Sequence, residues 1–224
     1  TMATVRSFTV GNGDMFYVKH NTDNFTIVDC QLFGDHKDWL VEELKQESVN
    51  KGVTRFISTH PDEDHLQGIE YLDQEMPIRN FYVVKNSATK ENESDSFKHY
   101  CKLRDGEKAF YVEKGCSRRW MNEGTDERGS SGISILWPDT SNEHYKKALE
   151  DAANGIAFNN ISLVARYKIN NSASFIQNLC VRNVGRNYLT QWVNNYASTF
   201  FVLTISVTLP PFSSIAFLAV SEQA

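Results

Sequence analysis

"STHPDEDHLQG", residues 58–68, follows the run Val53-Thr54-Arg55-Phe56-Ile57 and sets two histidines and three acidic residues within the six positions from His60 to His65. A run of β-branched and aromatic residues that ends this way reads as a strand delivering polar side chains from its last residue. Imidazole nitrogen and carboxylate oxygen both suit a divalent ion such as Zn2+ or Mn2+. A solvated acidic turn whose histidines cap the next helix would use the same residue types. Four donors at His60, Asp62, Asp64 and His65, all in one short turn after a strand, favour the metal-binding pattern over that plainer one. Two ions roughly 3.5–4 Å apart could then share a water and clamp both oxygens of a phosphodiester.

Outward from this loop, short strands alternate with helices. Thr4–Val10 and Met15–His20 are apolar-rich runs separated by "GNGD", and Phe25–Asp29 follows the turn "NTDN", so the chain opens as a β-meander. Lys37–Asn50 places Trp39, Leu40, Val41 and Leu44 on one helical face, and Gly52 stands where a C-terminal glycine would. The strand is expected at Val53–Thr59, a helix from His65 to Glu75 and a strand at Phe81–Val84. Residues 86–132 are polar and charged: a weak helix is expected at Asp95–Leu103, a strand at Ala109–Val112 and a mobile stretch at Asn122–Gly132. Ile133–Trp137 reads as a strand, Asn142–Ala153 as a helix, and "NNISLVARYKI" at 159–169 as a strand with one buried face.

Charge bounds the function classes. Residues 1–78 hold 6 Lys/Arg against 14 Asp/Glu, and the chain as a whole is at −5, so a basic nucleic-acid-binding tail is excluded and no stable nucleic-acid complex is expected. The cysteines Cys30, Cys101, Cys116 and Cys180 form no C-x-x-C pair and the first residues are not a basic segment followed by an apolar one, which points to a cytoplasmic location. "EKGCSRRW" (113–120) offers Arg118, Arg119 and Trp120 as a weak substrate-binding group, with a solvated basic loop as the plainer reading. His20, His36, His99 and His144 read as surface or packing histidines.

The loop His60-Pro61-Asp62-Glu63-Asp64-His65 resembles the H-x-H-x-D-H signature of the metallo-β-lactamase superfamily, and with Asp at the second ligand position it looks like the branch containing the metallohydrolase domains of bacterial DNA-uptake (competence) proteins. "VGNGDMFYV" (10–18) resembles that branch's early G-x-G-D turn. "FTIVDC" (25–30) resembles its strand ending in a buttressing aspartate, and "ILWPD" (135–139) with "NNISLVARY" (159–167) its later L-x-P and N-x-S-L-V elements. The resemblance covers residues 4–170. It implies an α+β fold, an αββα sandwich, and a hydrolase of an anionic phosphodiester with up to two Zn2+ or Mn2+ ions. His60 and Asp62 would hold one ion and Asp64 and His65 the other. Asp64 would also serve as the catalytic proton partner, and Asp29, Asp14, Asn160 and Ser162 would support the donors.

The match ends at residue 170. The family's later Gly-Asp strand end and final histidine segment have no counterpart, because residues 171–224 contain no Asp and no His. Residues 1–170 are therefore expected as one domain and 171–224 as an atypical, low-charge segment. Three readings of that segment remain open: a membrane anchor at Ala197–Val220, disfavoured by Pro210-Pro211; strands at Phe200–Leu209 and Ser214–Val220; or a sequence unrelated to the family's C-terminus. The same mismatch allows a fold with an incomplete site that serves as a binding module. The oligomeric state is not legible.

Overall fold

The computed structural model describes residues 3–168 together with the strands at Ser174–Gln177 and Phe201–Leu203. Six strands make the first sheet: β1 (Thr4–Ser7), β2 (Phe16–Lys19), β3 (Asn24–Val28), β5 (Val53–Ile57), β7 (Phe81–Val83) and β8 (Ala109–Tyr111), in the order β1-β2-β3-β5-β7-β8. The first three run antiparallel as the expected meander, and β3, β5, β7 and β8 are parallel neighbours. Helices α1 (Lys37–Glu47), α2 (Ile69–Glu75) and α3 (Asp95–Arg104) lie on the crossovers between the parallel strands, as such connections require.

Side-chain alternation divides the two faces of this sheet. Tyr17 stacks on Phe25 and Phe56 on Phe81, with ring centroids 5.1 and 5.8 Å apart, and these rings face the helices. Tyr17 also meets Glu43 of α1, and Phe81 meets Tyr100 of α3 edge-on. Each such aromatic pair contributes about 1 kcal/mol beyond the burial of its area. Phe16 points the other way, to Tyr167 at 6.1 Å across the interlayer.

Tyr167 belongs to the second sheet, which joins β9 (Ile133–Trp137), β10 (Val164–Lys168), β11 (Ser174–Gln177) and β12 (Phe201–Leu203) in the order β12-β11-β10-β9. In β9, Ile133, Ile135 and Trp137 are buried while Ser134 and Leu136 are half-buried, the alternation of a sheet with one face in the core. The helix α4 (Glu143–Ala153), capped by Asn142, sets Tyr145 edge-on to Trp137. Two sheets packed face to face with helices outside give the expected α+β sandwich.

Three differences from the sequence reading trace to particular residues and contacts. The helix after the loop starts at Ile69 instead of His65, because Gly68 takes a left-handed φ of 81° that a continuous helix cannot contain. The intervening residues form a 3-10 turn, Glu63–His65, and a two-residue strand β6 (Leu66–Gln67) that pairs with β4 (Cys30–Gln31). The stretch 122–132 is tied down: Asn24 Nδ2 donates to Gly129 O at 2.9 Å, Thr22 Oγ1 to Ser130 O at 3.0 Å, and Arg128 pairs with Asp23 at 2.8 Å. In the C-terminal segment, β12 runs parallel to β11. The expected strand at Ser214–Val220, most of Ala197–Val220 and Cys180 lie outside the described residues. No helix among the described residues is long and apolar enough to cross a membrane.

Candidate functional site

β3 and β5 end side by side, Val28 opposite Ile57, and both chains leave the sheet at the same pole. The next residue after β3 is Asp29, fully buried and left-handed at φ 55°. Such a backbone is uncommon for a residue with a side chain and marks an imposed turn. Its amide donates to Ile57 O at 2.9 Å, while its carboxylate turns under the loop from β5. There it accepts from Thr59 N at 2.8 Å, from Thr59 Oγ1 at 2.6 Å and from His65 Nδ1 at 2.9 Å.

This network fixes the two imidazoles by proton counting. A carboxylate only accepts, so the Thr59 hydroxyl spends its proton on Asp29 and must accept from His60 Nδ1, 2.9 Å away. His65 likewise donates from Nδ1. Both rings therefore present Nε2 to the site, one anchored directly by Asp29 and the other through Thr59. Carboxylate-anchored imidazoles of this kind are how metal-ligating histidines are held.

The rings lie with centroids 4.1 Å apart, and each Nε2 has a carboxylate beside it. His60 Nε2 is 3.2 Å from Asp62 Oδ2, is buried and has no hydrogen-bond partner. Two donors bonded to one tetrahedral zinc at about 2.0–2.1 Å stand roughly 3.3 Å apart, so this pair fits a shared ion as it stands. His65 Nε2 and Asp64 Oδ1 are 4.0 Å apart and would have to close by about 0.7 Å to share an ion in the same way. Among the described residues, no three His, Cys, Asp or Glu side chains are gathered tightly enough to enclose an ion. The donor types and one pair distance fit a divalent ion; the described residues supply a partial set.

Electrostatics mark the same place. Burial first, and then the charges of Asp29 and Asp64, raise Asp14 to about 6 against the opposing His65. Burial alone would lower His65, but the hydrogen bond and charge of Asp29, with Asp64 and Asp14 behind it, carry it up to about 9. Burial also works against ionised Asp62, yet His60, then His65 and Lys90, hold it below the usual carboxylate value. Asp14 is brought here by the "GNGD" turn, whose Gly13 lies on the loop: a Cβ there would stand 2.0 Å from Asp64 O. That glycine is dictated by close approach.

Of the other expected site residues, Ser162 accepts no direct part in the donor set; its hydroxyl donates to Asn159 O at 2.8 Å and steadies a 3-10 turn, Phe158–Ile161. In that turn Asn159, and not the expected Asn160, donates from Nδ2 to Asp62 Oδ2 at 2.5 Å. The adjacent pair "NN" carried the signal, but which amide faces the loop depends on the turn entered through Ala157 at φ 56°. Lys90, not anticipated, pairs with Glu63 of the loop at 3.1 Å.

Arg118, Arg119 and Trp120 are placed apart, at the pole where β3 and β5 begin. Arg118 lies over the rings of Tyr82 and Phe110 at 4.9 and 4.5 Å, and Trp120 O accepts from Arg55. Arg119 and Arg128 flank the Trp120 ring at 5.9 and 4.7 Å. These contacts build that pole.

No family model matches the chain, and no curated protein matches it. Solved structures of similar shape include a Thermotoga maritima protein assigned to the metallo-beta-lactamases, 13% identical over 80% of this chain and 78% of its own, with a TM-score of 0.43. The DIM-1 metallo-beta-lactamase is 16% identical over 89% and 84%, TM-score 0.42. The metallo-beta-lactamase GOB-18 from Elizabethkingia meningoseptica is 11% identical over 90% and 76%, TM-score 0.38. The two-sheet fold stands on this chain's own strand order and register, and no residue role is taken from these proteins.

Proposed function

We propose that this chain is a metal-dependent hydrolase acting on a phosphodiester, DNA or a nucleotide, as the resemblance of its loop and of its "GNGD" and "NNISLV" elements to the DNA-uptake metallohydrolases implies. The observation that carries the metal reading is His60 Nε2, a buried ring nitrogen without a hydrogen bond, a lone pair in the neutral ring, 3.2 Å from a carboxylate oxygen. His60 and Asp62 would hold one Zn2+ or Mn2+, and Asp64 and His65 a second. Bound ions of this kind supply Lewis acidity and bring the pKa of a water from 15.7 toward about 7.

The chain's own residues do the rest. Asp29 orients both imidazoles, Asn159 holds Asp62 in place, and Asp14 and Asp64 stand ready to take or return a proton at the rim of the loop. A second reading, a binding module of the same fold, is favoured by the 4.0 Å separation of Asp64 from His65.

Metal content of protein purified without chelator, and turnover of bis(p-nitrophenyl) phosphate by the wild type, His60→Ala and Asp64→Ala, separate the two. At least one Zn or Mn per chain, with turnover falling at least about 100-fold in each variant, supports the hydrolase. Bound metal without turnover selects the binding module. Absence of metal overturns the hydrolase and leaves the binding module with an incomplete site.

A further inference from the structure

Lys90 is far from the loop in sequence and is built into it in space. Its ammonium sits 4.7 Å from the Phe97 ring centroid and 5.4 Å from that of Phe158, and is 3.1 Å from Glu63 Oε2. Phe158 and Asn159 are neighbours in one 3-10 turn, so the ring under Lys90 and the amide on Asp62 come from the same short piece of backbone. Lys90, Glu63 and Asp62 therefore form one rim beside His60. The two partners of the ion pair differ in freedom: the Lys90 side chain is 17% exposed and that of Glu63 43%. The cation is clamped on two aromatic faces, and the carboxylate can leave it for water.

We infer that Lys90 is the anion-positioning residue of this site, and that Glu63 occupies its ammonium until a negatively charged oxygen of the substrate takes over. The inference rests on the hydrolase reading and adds a substrate preference to it. Asp14, Asp29, Asp62, Glu63 and Asp64 crowd this pole with carboxylates, which repel a phosphodiester and leave a neutral ester untouched. A fixed ammonium at the rim offsets that repulsion for the anion alone, and its cation–π contacts hold it in place without a further carboxylate. Lys90 also lines an open recess of about 530 Å³ together with Glu91, Asn92, Glu93, Ser94 and Lys98.

The test compares Lys90→Gln, Lys90→Arg and Glu63→Gln with the wild type. Calorimetry with diethyl phosphate on the full chain gives a readout that needs no turnover. Kinetics with anionic bis(p-nitrophenyl) phosphate and neutral p-nitrophenyl acetate give the second. Lys90→Gln is expected to weaken diethyl phosphate binding about 10-fold and to raise KM for the anionic substrate by a similar factor with kcat little changed. The neutral ester should be unaffected, and Lys90→Arg should restore most of the loss. Glu63→Gln should act in the opposite sense, tightening the anion a few-fold, because it frees the ammonium. A purely structural ion pair gives a different pattern: both variants lose thermal stability and neither changes anion binding, which overturns the inference. Should turnover be absent altogether, the calorimetric contrast between Lys90→Gln and Glu63→Gln still decides the role of Lys90, and only the hydrolase reading falls. Equal KM values in wild type and Lys90→Gln, with metal bound and turnover intact, remove Lys90 while leaving the hydrolase standing.

Discussion

The two ends of β3 and β5 both bury polar side chains, and they use them in opposite ways. At the end where the strands begin, Arg55 lies between the sheets, 1% exposed, and donates to Asn24 Oδ1 at 2.6 Å, to Trp120 O at 2.9 Å and to Thr26 Oγ1 at 3.1 Å. His20 beside it shares a 2.8 Å hydrogen bond with the same Thr26. What is left over there is a donor, Arg55 Nε. At the end where the strands finish, Asp29 and Thr59 take up the Nδ1 protons, and what is left over is an acceptor, His60 Nε2. A spare donor on a buried cation cannot take up a metal ion; a spare imidazole lone pair beside a carboxylate can. The first arrangement holds a fold together and the second is open to a ligand.

The largest effect should come from the structural pole. Arg55→Met removes the donor to three acceptors inside the core, and unsatisfied buried acceptors cost 1–3 kcal/mol each before repacking, so a loss of about 4 kcal/mol is expected from urea denaturation. His60→Ala, measured the same way, should cost far less. Equal losses would erase the distinction between the two poles.

Acid should separate them next. Burial, then the charges of Arg55 and Lys51, lower His20 from 6.5 to about 3. A depressed histidine is bound to the fold in its neutral form, so its contribution is complete above about pH 6.5 and is lost as pH falls toward 3. His65 has the opposite sign in the metal-free chain. Raised to about 9, it contributes fully below about 6.5 and loses that contribution as pH climbs through 9. Stability against pH for His20→Gln should therefore show a flatter acid limb with the alkaline limb unchanged. A variant with an unaltered acid limb would place the proton elsewhere.

A smaller and sharper effect concerns Asp29. Asp29→Asn keeps the shape but adds an amide donor facing Thr59 and His65, which turns His65 Nδ1 into an acceptor and puts the proton on Nε2. Zn2+ affinity should fall 10- to 100-fold, roughly 1.4–2.7 kcal/mol, by competition with a chelating dye. Undiminished affinity would show that the tautomer is not set by this carboxylate.

Gly13→Ala comes last, at about 1–2 kcal/mol. Its Cβ meets the Asp64 carbonyl, so the "GNGD" turn must shift off the loop, and overpacking of this size costs in that range. Because Asp14 moves with the turn, metal affinity should drop alongside thermal stability. A drop in stability alone would detach Asp14 from the site.

Legibility followed the range of the interactions. Ile133–Trp137 was readable to the residue, because alternation over five residues is a local signal, and α3 and α4 carry their caps, Ser94 and Asn142, next to them in sequence. The strands β4 and β6, two residues each, have no period to read; they exist because the chain turns out of the sheet at Asp29 after β3 and through the loop that ends in the Glu63–His65 turn after β5. Arg55 interrupts an otherwise apolar strand, and nothing nearby in sequence says that its acceptors are Asn24 and Trp120. Asn160 was expected where Asn159 reaches Asp62, since two identical neighbours differ only in the phase of the turn that carries them.

The sequence by itself determined the donor types, their spacing and the strand that bears them, because His60, Asp62, Asp64 and His65 lie within one turn and their chemistry is a property of the side chains. Periodicity also determined the meander and the individual strands, while their grouping into two sheets was implied by the resemblance. Only the tertiary structure decided which nitrogens face the site, through Asp29 and Thr59. It also decided that Lys90 stands at the rim and that Arg118 and Trp120 belong to the far pole. Those contacts join residues 27 or more positions apart, and hydrogen-bond direction and charge proximity across such separations are fixed by packing, which no local pattern of the chain encodes.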